Sequence, residues 1–180
     1  PGAATIRLAE IFEIFEFVER FSAGKSFILG GDLNFVPGSV EWDFIRDLLG
    51  LDDPCGSGLG DRCGSTSGAD GRLDYLLVAG GAPLVQSIRR GFMASIDDDE
   101  AVYSDHLALE AVLTPGIVAA PARPDPLRQA AALRLLSARL EETLEEIERI
   151  GFFSGFWHVD QIKALRDMNA RTKLRLGGRE

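Results

Sequence analysis

Histidine, cysteine and long apolar runs are all scarce in this sequence. It has two histidines and two cysteines in 180 residues, and no apolar stretch approaches the roughly 18 residues that a membrane-spanning helix needs. We therefore expect no such helix. No further Cys or His lies at a spacing from Cys55 and Cys63 that would support a zinc site. They form either a disulfide in an oxidising compartment or two free thiols in a reducing one, and we favour free thiols.

Basic residues are also scarce in the first two thirds of the chain. Residues 1–114 carry 19 acidic residues against 8 basic ones, whereas residues 115–180 carry 9 against 11. An acidic body disfavours non-specific nucleic-acid binding, because such binding needs Lys and Arg to displace counterions from phosphates. A bound cation still lets an acidic protein reach a phosphodiester. The charge therefore makes nucleic acid the less expected partner without excluding phosphate chemistry.

The pattern of apolar residues predicts an α/β fold with a mixed, largely antiparallel sheet. Residues 6–22 have helical periodicity, and a second helix over 39–49 is expected to begin after Ser39 and to end at Gly50. The inward face of this helix is predicted to be Trp42, Ile45, Leu48 and Leu49. Strands are predicted at 27–29, 73–78, 84–90 and 107–113, with a glycine-rich loop over 52–71. We expect 27–29 to be buried and 107–113 to be a central strand covered on both faces.

The C-terminal third is predicted to be a separate helical tail. A Pro/Ala-rich linker over 115–125 precedes a helix over 126–150, whose apolar stripe is Leu133, Leu136, Leu140, Leu144 and Ile147. An aromatic cluster and a basic end complete the tail over 126–180. The helix and its aromatics either pack onto the body or into an oligomer, or they anchor the protein to an anionic membrane surface. The anchor would be Phe152, Phe153, Phe156 and Trp157.

Three polar motifs lie where a predicted strand meets a loop. Asp32 and Asn34 follow the first strand, Asp74 lies in the second, and Asp105-His106 precedes the last. Loops at strand ends converge on one crevice in open α/β sheets, so these side chains are candidates for a shared site. An unpaired carboxylate within an apolar strand is costly. Asp74 therefore needs a partner, and His106 is the candidate.

Taken in this order, the motifs Gly31-Asp32-Leu33-Asn34, Arg72-Leu73-Asp74-Tyr75 and Ser104-Asp105-His106 resemble the endonuclease/exonuclease/phosphatase superfamily. The resemblance covers about residues 6–114 and is greatest to the neutral sphingomyelinases. It implies that residues 1–114 are the C-terminal half of a four-layer α/β sandwich. It also implies hydrolysis of a phosphodiester.

The resemblance implies a role for each motif residue. Asp32 would orient the attacking water and help to deprotonate it, and Asn34 would donate a hydrogen bond to a phosphoryl oxygen. Asp105 would bind the metal ion, with magnesium expected and manganese as the alternative. His106 would stabilise or protonate the developing oxyanion, and Asp74 would hold the other ring nitrogen of His106.

The resemblance also implies that part of the site lies elsewhere. Members of the family carry an Asn and a metal-binding Glu in their N-terminal half, upstream of the motifs found here. The chain begins at Pro1 without Met, and we expect it to belong to a longer protein and to be inactive alone. The expected substrate is a phospholipid such as sphingomyelin. The alternatives are a DNA-directed nuclease of the same fold and a noncatalytic binding or assembly module.

Overall fold

The structure, a computed structural model, describes residues 3–22, 25–56, 63–67, 71–79, 85–91, 104–114, 124–150 and 159–178. In chain order its elements are α1 (Ala3–Ser22), β1 (Ile28–Asp32), α2 (Val40–Leu49), β2 (Leu51–Asp52), β3 (Asp74–Ala79), β4 (Val85–Gly91), β5 (Ala108–Leu113), α3 (Pro126–Ile150) and α4 (Val159–Gly177). Most of the predicted linker lies outside the described residues. So do all four aromatic residues of the predicted anchor.

The capping signals of α2 function as the sequence predicts. The Ser39 hydroxyl accepts a hydrogen bond from the backbone N–H of Trp42 at 3.2 Å, which satisfies one of the free donors of the first turn. Gly50 adopts the left-handed conformation with φ 64°, and its N–H donates to the carbonyl of Arg46 at 2.8 Å. The predicted inward face is confirmed, since all four of its residues are buried.

The strands form two small antiparallel sheets, with the orders β1-β3-β2 and β4-β5. The protein is thus a mixed α/β fold, in which four helices accompany these sheets over the described residues.

Two predictions about strand burial are wrong. β5 pairs with β4 along one edge and is partly exposed, with Val112 and Leu113 open to solvent. β1 is likewise a mainly exposed edge strand that pairs with β3. Apolar composition predicts burial, but both are edge strands within the described chain and most of their side chains are exposed or only partly buried.

The larger core lies between the helices and one face of the three-stranded sheet. Fully buried side chains meet there from α1 (Phe12), α2 (Ile45), β3 (Leu77) and α3 (Leu136 and Leu140). The first three residues of the predicted stripe of α3, Leu133, Leu136 and Leu140, are therefore buried against the body, as the packing interpretation of this helix requires. Apolar burial of this kind contributes roughly 1.5–3 kcal/mol for each large side chain.

α4 packs along α3 and reaches α1. Inside this contact the hydroxyl of Ser137 donates to Oδ1 of Asn169 at 2.8 Å. At the surface, Arg171 is paired with Glu16 and Arg175 with Glu19. Part of the basic charge of the tail is thus directed at acidic residues of the same chain.

A second, smaller core joins the two sheets. Val78 from β3 and Val85 and Ile88 from β4 are buried there with Cys63. Cys63 is joined to Cys55 in a disulfide, so the favoured prediction of free thiols is wrong. The two Cα atoms lie 5.7 Å apart, which is within the range that a disulfide spans.

Among the residues that the structure describes, no helix combines the length and apolar character that a bilayer crossing demands.

Candidate active site

The carboxylate of Asp32 shapes the turn that follows β1. Its Oδ1 accepts the backbone N–H of Asn34 at 2.9 Å, and its Oδ2 accepts the side-chain Nδ2 of Asn34 at 3.1 Å. These bonds hold Asn34 at φ 54°, a left-handed conformation that asparagine tolerates better than most residues. Both side chains remain exposed to solvent. The predicted Asp-Leu-Asn motif is thus a rigid, accessible turn at the end of a strand.

Asp74 lies directly opposite Asp32 in the β1–β3 ladder. Directly opposed residues of antiparallel strands project from the same face, so two carboxylates meet at this point. Like charges in such a position destabilise a sheet. The pair therefore requires a compensating positive charge.

His106 supplies a partner for Asp74. Its Nδ1 lies 2.7 Å from Oδ2 of Asp74, and the two side chains are 25% and 20% exposed. Because a carboxylate only accepts hydrogen bonds, Nδ1 carries the proton in this contact. The hydrogen bond that His106 donates to Asp74, assisted by the charges of Asp74, Asp32 and Asp105, raises the pKa of His106 above its ordinary 6.5. The predicted Asp74–His106 contact is confirmed.

The Ser-Asp-His motif has its own local geometry. The hydroxyl of Ser104 accepts the backbone N–H of His106 at 3.0 Å, which forms a tight turn before β5. Asp105, at the centre of this turn, is exposed. Its charge makes a small contribution to the raised pKa of His106.

A group of potential metal ligands is formed by Asp32, Asp74 and His106. One ligand atom from each lies within 4.8 Å of the other two. Asp105, the residue predicted to bind the metal, is not a member of this group within the described part of the chain. Two carboxylates suit Mg²⁺ and Mn²⁺, while an imidazole suits transition metals better. The donor chemistry therefore fits an oxygen-ligated divalent cation at the carboxylates, with His106 beside it.

Arg72, the first residue of the second motif, has its side-chain contacts outside the group formed by Asp32, Asp74 and His106. Its guanidinium forms a two-pronged salt bridge with Asp53 and lies over the ring of Tyr75, 4.8 Å from the ring centre. The hydroxyl of Tyr75 is 2.7 Å from the carbonyl of Phe35, and burial raises the pKa of this phenol above its ordinary value. These contacts make Arg72 a structural residue. The Asp53 partner was missed because a salt bridge between distant residues leaves no periodic signal.

Thr66 is a second residue that the sequence analysis missed. It is fully buried and forms hydrogen bonds with the chain on either side of the site. It lies in the glycine-rich segment predicted as a loop, where no motif or apolar period marks it.

Comparison with known proteins adds no relative. No protein-family model matches the chain, and no curated protein matches it significantly. The resemblance carried by the three motifs therefore stays a prediction.

Proposed function

We propose that this chain is the C-terminal half of a magnesium-dependent phosphodiesterase, and that its two sheets belong to a four-layer α/β sandwich. The observation that carries the proposal is the Asp74–His106 hydrogen bond of 2.7 Å, formed beside the exposed Asp32–Asn34 turn. The motifs that resemble the phosphodiesterase family supply the residues of both parts. The substrate we propose is a phospholipid such as sphingomyelin, from which hydrolysis releases a phosphorylated alcohol.

Asp32 is suited to hold and deprotonate a water molecule. Each carboxylate oxygen has two acceptor positions, and the hydrogen bonds from Asn34 occupy one on each oxygen. Among the contacts of the described residues, one acceptor position on each oxygen of Asp32 remains for the water. The amide of Asn34 has a second N–H, which can donate to a phosphoryl oxygen. This turn can thus align a nucleophile with phosphorus.

His106 is suited to stabilise the departing oxygen. With Nδ1 directed at Asp74, a protonated ring has Nε2–H free for the substrate. As water attacks phosphorus and the bond to the leaving alcohol breaks, Nε2–H donates to the negative charge on that oxygen and can transfer its proton. Preorganised donors of this kind contribute strongly to catalysis, because they need no rearrangement during the reaction.

A divalent cation held by Asp105 or by the Asp32–Asp74 carboxylates would neutralise charge on the phosphate. The family residues that complete such a site, an Asn and a metal-binding Glu, belong to the half that precedes these motifs. We therefore propose that the 180 residues alone do not sustain turnover.

The test compares the 180-residue chain with a longer protein that joins it to its N-terminal half, each assayed with Mg²⁺ on sphingomyelin and on duplex DNA. We expect background rates from the chain alone and hydrolysis of the lipid by the longer protein, abolished by chelation of the metal. In the longer protein, His106→Ala and Asp32→Ala should each lower kcat by at least about 10²–10³-fold. Asp74→Asn should cost less than His106→Ala, because it misorients the imidazole without removing it. Asp43→Ala, an exposed change on α2, is the control.

Hydrolysis that survives both His106→Ala and Asp32→Ala would overturn the proposed function. Cleavage of DNA in place of lipid would assign the nuclease alternative. Strong hydrolysis by the 180 residues alone, lost in His106→Ala, would show that the site is complete without a further half.

A further inference from the structure

The Asp74–His106 pair joins two different sheets. Asp74 begins β3 of the three-stranded sheet, and His106 precedes β5 of the two-stranded sheet. A contact of 2.7 Å between side chains on separate sheets holds only if the two backbones are fixed relative to each other. The main-chain ladders β1–β3 and β4–β5 do not provide this, since each lies within one sheet.

Thr66 forms hydrogen bonds with the backbone of Asp74 and of Leu107, the residue that follows His106. Its hydroxyl oxygen accepts the N–H groups of Leu73 and Asp74, each at 3.0 Å. Its carbonyl accepts the N–H of Leu107 at 2.8 Å. Ser67, the next residue, forms an isolated antiparallel bridge with His106. A single residue thus fixes the start of β3 through its side chain and the His106 segment through its backbone.

Water does not reach the side chain of Thr66 and so cannot replace its hydroxyl as the acceptor of these hydrogen bonds. The residue is fully buried, and its hydroxyl is the acceptor for two main-chain donors. Loss of the hydroxyl leaves these two part-buried donors without this acceptor, so the backbone at Leu73 and Asp74 is expected to shift towards another partner. This shift would move the backbone of Asp74, and with it the carboxylate that accepts the hydrogen bond from His106.

We infer that Thr66 is a positioning residue. Its hydroxyl fixes the backbone of Asp74 relative to His106 and so holds the two side chains at hydrogen-bonding distance. Its consequence for catalysis rests on the proposed function, whereas its effect on the Asp74–His106 pair does not.

The test reads the pair directly by proton NMR of the 180-residue chain. A ring N–H donated to a carboxylate gives a strongly downfield resonance, which is assigned to His106 by its loss in His106→Ala. Thr66→Val keeps the shape and removes the hydroxyl, and we expect the resonance to be lost. Thr66→Ser restores the oxygen and should restore the resonance. Thr172→Val is the matched control, since Thr172 is also fully buried but its hydroxyl donates to the Met168 carbonyl within α4.

Retention of the downfield resonance in a folded Thr66→Val protein overturns the inference. So does its loss in Thr66→Ser or in a folded Thr172→Val protein. If Thr66→Val does not fold, hydrogen exchange in the unaltered protein decides. The Leu73, Asp74 and Leu107 amides should then lose protection over the same range of urea concentration as the His106 resonance disappears. Exchange of these amides while the resonance persists would overturn the inference.

The outcome is separable from that of the proposed function. Loss of the resonance in Thr66→Val, together with a longer protein that hydrolyses no phosphodiester, would leave Thr66 as the positioning residue of a site with another activity.

Discussion

Replacement of Arg72 by methionine removes a buried charge from the second motif while it keeps most of the side-chain length. In the structure, Nη1 of Arg72 donates to Oδ1 of Asp53 at 3.2 Å, and Nη2 donates to Oδ2. The side chains of Arg72 and Asp53 are 10% and 5% exposed. The substitution leaves the Asp53 carboxylate in place, where its Oδ1 also accepts the backbone N–H of Cys55 at 3.0 Å.

The expected cost follows from this burial. Removal of one partner of a buried ion pair costs about 3–5 kcal/mol, because the other charge remains desolvated. Against a total stability of about 5–15 kcal/mol for a typical domain, this is a large fraction. Arg89→Met is the matched control, because Arg89 also forms a two-pronged salt bridge, with Glu110, but these side chains are 69% and 52% exposed. An exposed pair of this kind contributes about 0.2–1 kcal/mol.

The assay is equilibrium unfolding in urea, followed by circular dichroism, with the disulfide kept oxidised in all variants. We expect the free energy of unfolding to fall several times further in Arg72→Met than in Arg89→Met. In the double variant Asp53→Leu/Arg72→Met, stability should partly return, since no unpaired charge remains. Equal losses in the two single variants would refute the argument that Arg72 is a structural residue. The motif arginine would then be available for a role at the site.

Two further predictions concern the pKa of His106 and the Cys55–Cys63 disulfide. The pKa of His106, measured by NMR titration of the metal-free chain, should exceed 6.5 and should fall in Asp74→Asn; an unchanged pKa in this variant would contradict the assigned hydrogen bond. Because folding raises this pKa, the contribution of the pair to stability is fully present below pH 6.5 and is lost as the pH rises through the folded-state pKa. Reduction of the Cys55–Cys63 disulfide should lower the free energy of unfolding by roughly 2–3 kcal/mol, as expected for a short closed loop, and urea unfolding with and without reductant measures this. A loss near zero would contradict the expected stabilisation by the disulfide.

The features that the sequence predicts well are those with a local physical cause. The caps of α2 were predictable because Ser39 and Gly50 satisfy backbone groups within one turn of the helix. The stripe of α3 was predictable because its apolar residues repeat at the helical period. The Asp74–His106 contact joins distant residues, yet it was predictable because a carboxylate in an apolar strand requires a partner and the chain has few histidines.

The features that it misses depend on which segments become neighbours. The exposure of β5 depends on which elements pack over its faces, and its apolar residues carry no mark of this. The disulfide depends on Cys55 and Cys63 becoming neighbours in the folded chain, which neither residue signals in the sequence. Thr66 looks like any small polar residue of a loop. Its importance follows from the two backbone N–H groups that it meets only in the folded chain.

For the proposed reaction, the negative charges around His106 bear on the order in which a metal ion and a phosphodiester would bind. Three carboxylates, those of Asp32, Asp74 and Asp105, act on one imidazole, and the first two face each other across the ladder. A proton on His106 compensates only part of this negative charge. A phosphodiester, itself an anion, would meet net repulsion at such a surface. In that reaction, a divalent cation held by the Asp32 and Asp74 carboxylates would offset this repulsion and the repulsion between the two carboxylates. For the proposed reaction, the arrangement of Asp32 opposite Asp74 therefore favours entry of the metal ion before the substrate.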